Sequence, residues 1–411
     1  MATSIAFRSR RAATTLGRAA AILSLLAAPA FAGPRLSASS DALHANPEDR
    51  LIAALADMRR GAFDAALDDL EQLISQEPDF RLAHYLQGEL LLARAGRPLD
   101  VAVARGDNER SRELVDEALA RWSHRLSSPP PGAVPDAVLQ LAPQFEHVVV
   151  VDLLRHRLYL WRNTGQRLEL VADFYASIGR AGVGKEKEGD LRTPVGVYRV
   201  TEYKPDSELP ELYGDGAFPV NYPNSLDQIR GRTGYGIWVH GVPRDTYSRA
   251  PRASEGCVVV ANEDLQMLRR YLRPGRTPVV FSDRLEWLTP DEAEARRRTL
   301  MARLDAWRSS WESLDTGAYL SYYADDFISA TGMDKDAFAA YKREVNADKT
   351  RIDVSLEDVS IYRYPGEDDL ALISFLQRYS SNNFQAVSRK QQFWRKDPSS
   401  GWQIVHESRV E

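Results

Sequence analysis

The order of apolar and polar residues divides the chain into stretches with different predicted structure. Residues 41 to about 125 carry apolar residues at helical spacing. Residues 145–285 carry short apolar runs that glycine and proline interrupt, which is typical of strands. After Pro290, a charged helical stretch over 291–312 precedes several short apolar runs. The pattern predicts a multidomain protein with a helical segment, a mainly β domain and an α+β domain.

The helical segment contains a repeat-like motif. Gly61-Ala62-Phe63-Asp64-Ala65-Ala66 is followed by Leu70, Leu73 and Pro78, and this resembles the tetratricopeptide repeat. Repeats of this kind bury their faces by stacking, so residues 41–125 would dock on a neighbouring domain or on a protein partner. A plain helical hairpin used as a spacer remains an equal alternative. Residues 126–144, which begin with prolines, are predicted to be a stiff linker.

The β domain shows distinct strand signals. Val148–Val151 has the continuous apolar run of a buried strand, and 157–161 and 168–171 are predicted to form a hairpin that turns at 163–165. A short helical stretch, Glu263 to Leu272, precedes the strand Pro278–Phe281.

The C-terminal domain, residues 291–411, opens with a helix whose apolar stripe is Leu300, Leu304, Trp307 and Trp311. Four strands are predicted after it: Ile352–Val354, Asp369–Phe375, Gln391–Trp394 and Trp402–Val405. The spacing of aromatic residues from Trp307 to Phe327 resembles the nuclear-transport-factor-2-like (SnoaL-like) family, which implies a cone-shaped α+β fold. Its residues do not form a catalytic set, so a binding or packing role is expected.

Residues 1–32 have the layout of an export signal. Arg8, Arg10 and Arg11 precede the apolar run 19–28, and Ala30-Phe31-Ala32 supplies small residues for cleavage. The run is too short to span a bilayer, so no membrane span is expected after cleavage. The mature protein is therefore predicted to be periplasmic, by Sec or twin-arginine export. The net charge of -5 gives no support to nucleic acid binding.

Cys257 is the one cysteine in 411 residues. Exported proteins usually hold an even number of cysteines in disulfides, which a lone cysteine cannot form within its chain. Cys257 is therefore either a small buried hydrophobe or a free thiol kept for chemistry.

The segment Gly179–Lys185 satisfies the phosphate-loop pattern G-x-x-x-x-G-K, but its surroundings exclude that function. Glu186 stands where a magnesium-binding Ser or Thr is needed, and Pro194 and Gly196 prevent the helix that must follow. ATP binding is rejected.

A more specific constellation lies further along the chain. Gly236–Gly241 is predicted to be a strand that ends in His240 and Gly241, and Cys257 follows sixteen residues later. An imidazole can take the proton of a thiol and hold the resulting charges as an ion pair. Gly256, directly before the cysteine, would let backbone amides approach an oxyanion.

These residues resemble the L,D-transpeptidase catalytic domain (YkuD) family, whose pattern is HG, a loop, and then S/T-x-G-C. The resemblance extends over 145 to about 283. Glu188–Tyr198 is similar to a further motif of Gram-negative members, and Phe218–Asn224 followed by Gly231–Gly234 is similar to the same subgroup.

The resemblance implies roles for these residues. Cys257 would be the nucleophile and His240 the base, the Gly241 carbonyl would orient the imidazole, and the amides around Gly256 and Cys257 would form an oxyanion hole. The implied substrate is a peptidoglycan stem tetrapeptide. The thiol would attack the carbonyl at the L-centre of its diaminopimelate and expel D-alanine, and an amine or water would then resolve the acyl-enzyme. The resemblance implies no metal and no organic cofactor.

Two departures from the family pattern leave the reaction open. Glu255 stands where many members have His, and Val259 where many have Arg or Asn. The SEGC variant is similar to relatives that hydrolyse the amide between a lipoprotein lysine and diaminopimelate. Hydrolysis is therefore the alternative to transpeptidation, and an idle domain that only recruits partners is a third possibility.

Candidate substrate-binding residues surround the motif. Glu255 would meet a cationic amine or is simply solvated, and Arg249 and Arg252 would clamp carboxylates or are ordinary loop residues. Ser254 is a further candidate, although serine at such a turn more often braces the backbone. By their position beside the motifs, Tyr222 and Trp238 complete the set.

Overall fold

The computed structural model of the protein describes residues 46–96 and 109–410. The predicted export signal, residues 1–32, lies outside the described residues. The chain divides into two compact units, and the boundary between them follows Trp122. None of the helices in the described ranges is long and apolar enough to cross a membrane. The predicted class is confirmed: helices come first, a β-rich domain follows, and an α+β domain closes the chain.

The first unit is helical. Its helices are α1 (Pro47–Arg60), α2 (Phe63–Gln76), α3 (Arg81–Arg94) and α4 (Glu109–Leu126), the last of which continues into the second unit. Asn46 caps α1 by accepting a hydrogen bond from the backbone of Glu48, and Pro47 occupies the first helical position. Gly61 ends α1 in the left-handed conformation, at φ 73°, which glycine adopts without strain.

The apolar residues of α1, α2 and α3 face a common interior. Leu51, Leu70, Leu73 and Leu82 are fully buried. The helix–turn–helix at Gly61 matches the predicted pattern, whereas assignment to the tetratricopeptide family stays a prediction.

Residues 134–288 form the mainly β part of the second unit. Its elements are β1 (Val134–Pro135), β2 (His147–Asp152), β3 (Arg157–Asn163), β4 (Leu168–Tyr175), β5 (Ile178–Gly179), β6 (Gly196–Arg199), β7 (Lys204–Pro205), 3₁₀ turns at Asp206–Glu208 and Glu211–Tyr213, β8 (Gly216–Pro219), α5 (Ser225–Ile229), β9 (Trp238–His240), β10 (Arg252–Ser254), β11 (Val258–Val259), α6 (Asn262–Arg269), β12 (Pro278–Ser282) and β13 (Trp287–Leu288). The larger sheet has the order β4-β3-β2-β12-β6, and the smaller has the order β11-β9-β8-β7.

The valine run of β2 is buried on both faces of the larger sheet. Val149 and Val151 pack into the core between the larger and the smaller sheet of the β domain. Val148 and Val150 point the other way and pack with residues of the C-terminal domain, among them Tyr362. This double burial explains why the strand is a continuous apolar run instead of an alternating one.

The C-terminal part is an α+β domain. Its elements are α7 (Pro290–Glu312), α8 (Thr316–Leu320), β14 (Tyr323–Ser329), α9 (Lys335–Asn346), β15 (Ile352–Arg363), β16 (Leu370–Ser381), β17 (Gln385–Asp397) and β18 (Gly401–Arg409). The sheet order is β14-β18-β17-β16-β15. Thr289 and Glu292 form a capping box at the start of α7, and the predicted stripe on this helix, including Trp307 and Trp311, is buried.

The interior of this domain contains charged groups that the sequence analysis missed. Burial alone would raise the pKa of Glu407, but the positive charges of Lys390 and Lys342 outweigh it and lower that pKa to about 2. Gln392 donates a hydrogen bond of 2.8 Å to the same carboxylate. The acid is therefore ionised and stabilised by two cations within the aromatic core.

The segment 126–144 differs from the expected linker. From Val134 onward it is packed: β1 pairs with β13, and Ala137, Val138 and Leu141 are buried together with residues of both domains. Gln140 forms an isolated bridge with Ile361 of β15. These few apolar residues, which the proline-rich composition obscures, join the two domains in one unit.

A buried ion pair crosses the same junction. Asp136 is fully buried; its carboxylate accepts a hydrogen bond of 3.0 Å from the Glu286 backbone and contacts the guanidinium of Arg363. Arg363 also contacts Asp368. Removing the arginine would leave a buried carboxylate without its countercharge.

We expect Arg363→Met to lower the free energy of unfolding by about 3 kcal/mol or more, because breaking a buried pair strands the remaining charge. Arg378→Met is the matched control, since its pair with Glu357 is exposed and is worth at most about 1 kcal/mol. Urea denaturation measures both variants. Equal losses would show that Asp136 does not depend on Arg363.

Candidate active site

The two residues predicted to react lie at the ends of neighbouring strands: His240 is the last residue of β9, and Cys257 directly precedes β11. β9 and β11 run parallel, with Val239 opposite Val258 and His240 opposite Val259. Because side chains alternate along a strand, Val239 and Val258 enter the core, while His240 and Cys257 share the opposite face. Continued by one residue beyond β11, strand spacing and rise put the Cα atoms of His240 and Cys257 about 8 Å apart.

The thiol of Cys257 is buried but has polar contacts. The side chain is 9% exposed, and Sγ lies 3.3 Å from the Gly236 carbonyl, to which the thiol donates. Burial raises the pKa of Cys257 to about 11, although a hydrogen bond from the Trp238 backbone and the charge of Arg249 oppose this effect. At neutral pH the sulfur is therefore protonated.

His240 has one defined tautomer. Its Nδ1 lies 2.7 Å from the Gly241 carbonyl. A carbonyl only accepts, so Nδ1 carries the proton and Nε2 is left as a free base. Burial lowers the pKa of His240 to about 3. The site thus holds a neutral thiol and a neutral imidazole, which differs from the ion pair that the sequence analysis expected; burial penalises both charged forms.

The turn before the thiol is held from within. The Ser254 hydroxyl donates to the Cys257 carbonyl at 2.6 Å and accepts from the Gly256 N–H at 3.1 Å. Ser254 is 3% exposed and braces the turn, which is the role that the sequence favoured; its role in substrate binding stays a prediction. Gly256 has φ +130°, and a side chain there would collide with the Arg192 carbonyl.

This bracing corrects the expected oxyanion hole. The Gly256 N–H already has a partner in the Ser254 hydroxyl. The N–H of Cys257 has no hydrogen-bond partner in the part of the chain that the structure describes. One of the two expected donors is therefore occupied, and one is free.

The loop that resembled a phosphate loop supports the turn. Lys185 is buried and pairs with Asp190 at 2.9 Å, and Asp190 also accepts from the backbone of Glu186 and Arg192. These bonds lower the pKa of Asp190 to about 2 against the opposing effect of burial. No helix forms over residues 180–195, as predicted.

Two residues of the site were missed from the sequence. The Tyr213 ring lies 4.9 Å from the ring of His240 and 4.7 Å from that of Trp238, so it covers one side of the imidazole. Asn262 accepts from the backbone of Asp215 and Val242 and donates to the Val242 carbonyl. Asn262 is the first residue of α6, which follows β11 after two residues, and no local sequence signal marks its role.

The remaining candidates are dispersed. Glu255 is exposed and pairs with Arg180 at 3.0 Å. Tyr222 is buried in the core and donates to the Thr233 carbonyl, and its role in substrate binding stays a prediction. Arg252 is exposed, and the structure gives it no contact with Cys257 or His240 within residues 109–410.

Arg249 and Trp238 lie at the site. Arg249 is half-buried and donates to the Leu212 carbonyl, next to Tyr213. No cluster of three or more His, Cys, Asp or Glu side chains suited to a metal occurs among residues 46–96 and 109–410. The arrangement is suited to thiol acyl transfer, with a sulfur, a base of defined tautomer and a free backbone donor.

Comparisons with known proteins identify two domains. Residues 146–281 match the L,D-transpeptidase catalytic domain family (YkuD), and residues 299–408 match the Cds6 C-terminal NTF2-like domain. The chain therefore contains an L,D-transpeptidase catalytic domain followed by an NTF2-like domain, and the match supports a peptidoglycan-related function. No curated protein matches the chain significantly.

Two solved structures are similar to about two thirds of this chain. Bd1075 of Bdellovibrio bacteriovorus is 27% identical at a TM-score of 0.60, and the match covers 68% of this chain and 98% of that one. Pgp2 of Campylobacter jejuni, a helical cell shape determining protein, is 26% identical at a TM-score of 0.56, with 67% and 93% covered.

We expect Gly241→Ala to destabilise the protein by about 1–3 kcal/mol, because an added Cβ would collide with the Asn262 side-chain oxygen. Asn262→Ala loses three hydrogen bonds, at about 1 kcal/mol each. In the double variant the collision partner is gone, so the combined loss should fall short of the sum by about 1 kcal/mol or more. If the losses in the free energy of unfolding, measured with denaturant, are additive, an atom other than the Asn262 oxygen restricts the side chain at position 241.

Proposed function

We propose that this protein is a periplasmic cysteine L,D-transpeptidase that acts on peptidoglycan stem tetrapeptides. The observation that carries the proposal is the pairing of β9 with β11, which puts His240 and Cys257 on one face of the sheet, with Nε2 of the imidazole left as the free base. The match to the transpeptidase family supports the same reading.

In the first step, Sγ of Cys257 attacks the carbonyl carbon at the L-centre of diaminopimelate as its proton passes to Nε2 of His240. The neutral pair makes this transfer concerted with attack, since burial disfavours a standing thiolate. The tetrahedral oxyanion accepts a hydrogen bond from the Cys257 N–H, a donor typically worth about 3 kcal/mol. The imidazolium then gives its proton to the departing amine of D-alanine, which leaves a thioester.

In the second step, an acceptor amine attacks the thioester carbon and gives a proton to His240, which returns it to the sulfur. An amine from a second stem yields a 3→3 cross-link, and another amine donor would be attached in the same way. Ser254, Asn262 and the Gly241 carbonyl position the reacting groups without taking part.

The alternative function is hydrolysis of a diaminopimelate-linked amide, such as a bond between lipoprotein and peptidoglycan. Glu255 favours it, because this acid replaces the histidine of many family members and lies exposed beside the thiol, where it would attract a cationic leaving amine. Water would then resolve the thioester.

The other regions suggest the cellular setting. Pgp2 determines helical cell shape in its organism, and we propose a role in cell shape for this protein also. We further propose that residues 1–32 direct export, and that the helical segment 41–125 binds a protein partner. The third possibility is that the catalytic domain is idle and only recruits partners. The Cys257→Ala variant tests it.

The pH dependence of acylation tests the neutral pair. With the pKa of His240 near 3 and that of Cys257 near 11, the reactive protonation state dominates from about pH 5 to about pH 9. The rate of carbapenem adduct formation on Cys257, followed by mass spectrometry, should be flat over this range. A limb with an apparent pKa between 6 and 8 would instead indicate that an ion pair reacts. An adduct that survives Cys257→Ser would defeat the assignment of the nucleophile.

Muropeptide analysis tests the reaction. Expression in a strain that lacks its own L,D-transpeptidases should raise 3→3 dimers, and Cys257→Ala should abolish them, since truncating a nucleophile removes about 10³-fold or more of the rate. Thermal unfolding of both proteins controls for folding.

Other outcomes of this comparison contradict the proposal in distinct ways. Release of lipoprotein from sacculi without dimers would show that the hydrolase function is correct. Identical muropeptides from the active protein and the Cys257→Ala variant would show that the domain does not catalyse.

A further inference from the structure

Arg249 has no acidic partner among residues 109–410, unlike Arg180 and Arg244 near the same site. Arg180 pairs with Glu255, and Arg244 pairs with Asp206. The guanidinium of Arg249 donates only to the Leu212 carbonyl, at 3.3 Å, and no carboxylate lies within ion-pair distance of it in residues 109–410. Its main chain is fixed by the Tyr175 hydroxyl, which donates to the Arg249 carbonyl at 3.0 Å.

This unpaired cation is held beside the reacting groups. Leu212 directly precedes Tyr213, whose ring contacts both His240 and Trp238. Arg249 lowers the pKa of both Cys257 and His240 through its charge, although burial is the larger effect on each. A half-buried guanidinium without a countercharge favours an anionic ligand at this point.

We infer that Arg249 binds the carboxylate of the leaving D-amino acid and thereby selects stems that end one residue after the scissile amide. The inference rests on the proposed function. In D-alanine the carboxylate is separated from the scissile nitrogen by a single carbon, close to the attacked carbonyl. In a lipoprotein lysine linked through its side chain, the carboxylate lies at the far end of that side chain. Arg249 therefore favours the tetrapeptide over the lipoprotein bond.

The test compares two donor peptides with the full-length protein: the stem tetrapeptide with a free terminal carboxylate, and the same peptide with a terminal carboxamide. Wild type should prefer the acid in kcat/KM by at least about 30-fold, the loss expected when one member of a buried charge pair is removed. Arg249→Gln should turn over the acid no better than the carboxamide. Arg249→Lys keeps the charge without the planar fork and should retain part of the preference.

The ratio of the two peptides separates recognition from thiol activation, because a changed thiol pKa slows both equally. Arg244→Gln is the matched control from the same loop and should keep the wild-type ratio. Thermal unfolding verifies that each variant folds.

Two results would overturn the inference while the proposed function stands: a wild type that acylates with both peptides equally, or Arg249→Gln that keeps the preference for the acid. If neither peptide acylates Cys257 in the wild type, as judged by intact mass, the proposed function is overturned together with the inference.

Discussion

The parallel pairing of β9 with β11 is the constraint on which the site depends. It places His240 and Cys257 on one face of the sheet and sends their neighbours, Val239 and Val258, into the core. A register shift of one residue between the two strands would turn one set of side chains to the other face, so that His240 and Cys257 would no longer face the same side. Core packing therefore fixes the register, and the register brings together two groups that are far apart in the chain.

Burial and hydrogen bonding affect the reactivity of the thiol and the imidazole in opposite directions. Burial penalises charge on both the thiol and the imidazole, whereas the Gly241 carbonyl fixes the tautomer that can accept a proton. Asn262 holds the backbone that carries this carbonyl, and Ser254 holds the turn that carries the thiol. These hydrogen bonds hold the catalytic groups in position, so the site depends on the polar residues behind the thiol and the imidazole as well as on those two groups.

The sequence was informative where a signal is local or where spacing is characteristic. The apolar run 148–151, the stripe on α7 and the separation of His240 from Cys257 were all predicted. Tyr213 and Asn262 were missed because each acts on residues twenty or more positions away, a relation that no local pattern encodes. The structure differs from the expected ion pair and from the expected second oxyanion donor for another reason. Burial of the two groups and the hydrogen bond between Gly256 and Ser254 depend on the folded structure and cannot be deduced from the sequence.

The burial of β2 on both faces limits how this pair of domains can be rearranged during evolution. Val148 and Val150 share a hydrophobic cluster with Tyr362, Tyr364 and Phe393 of the NTF2-like domain. A gene truncated after the transpeptidase segment would encode a protein whose sheet exposes an apolar face, and such a protein would tend to aggregate. The two domains are therefore not interchangeable cassettes, and recombination at their boundary would have to supply a new cover for these valines together with any new domain.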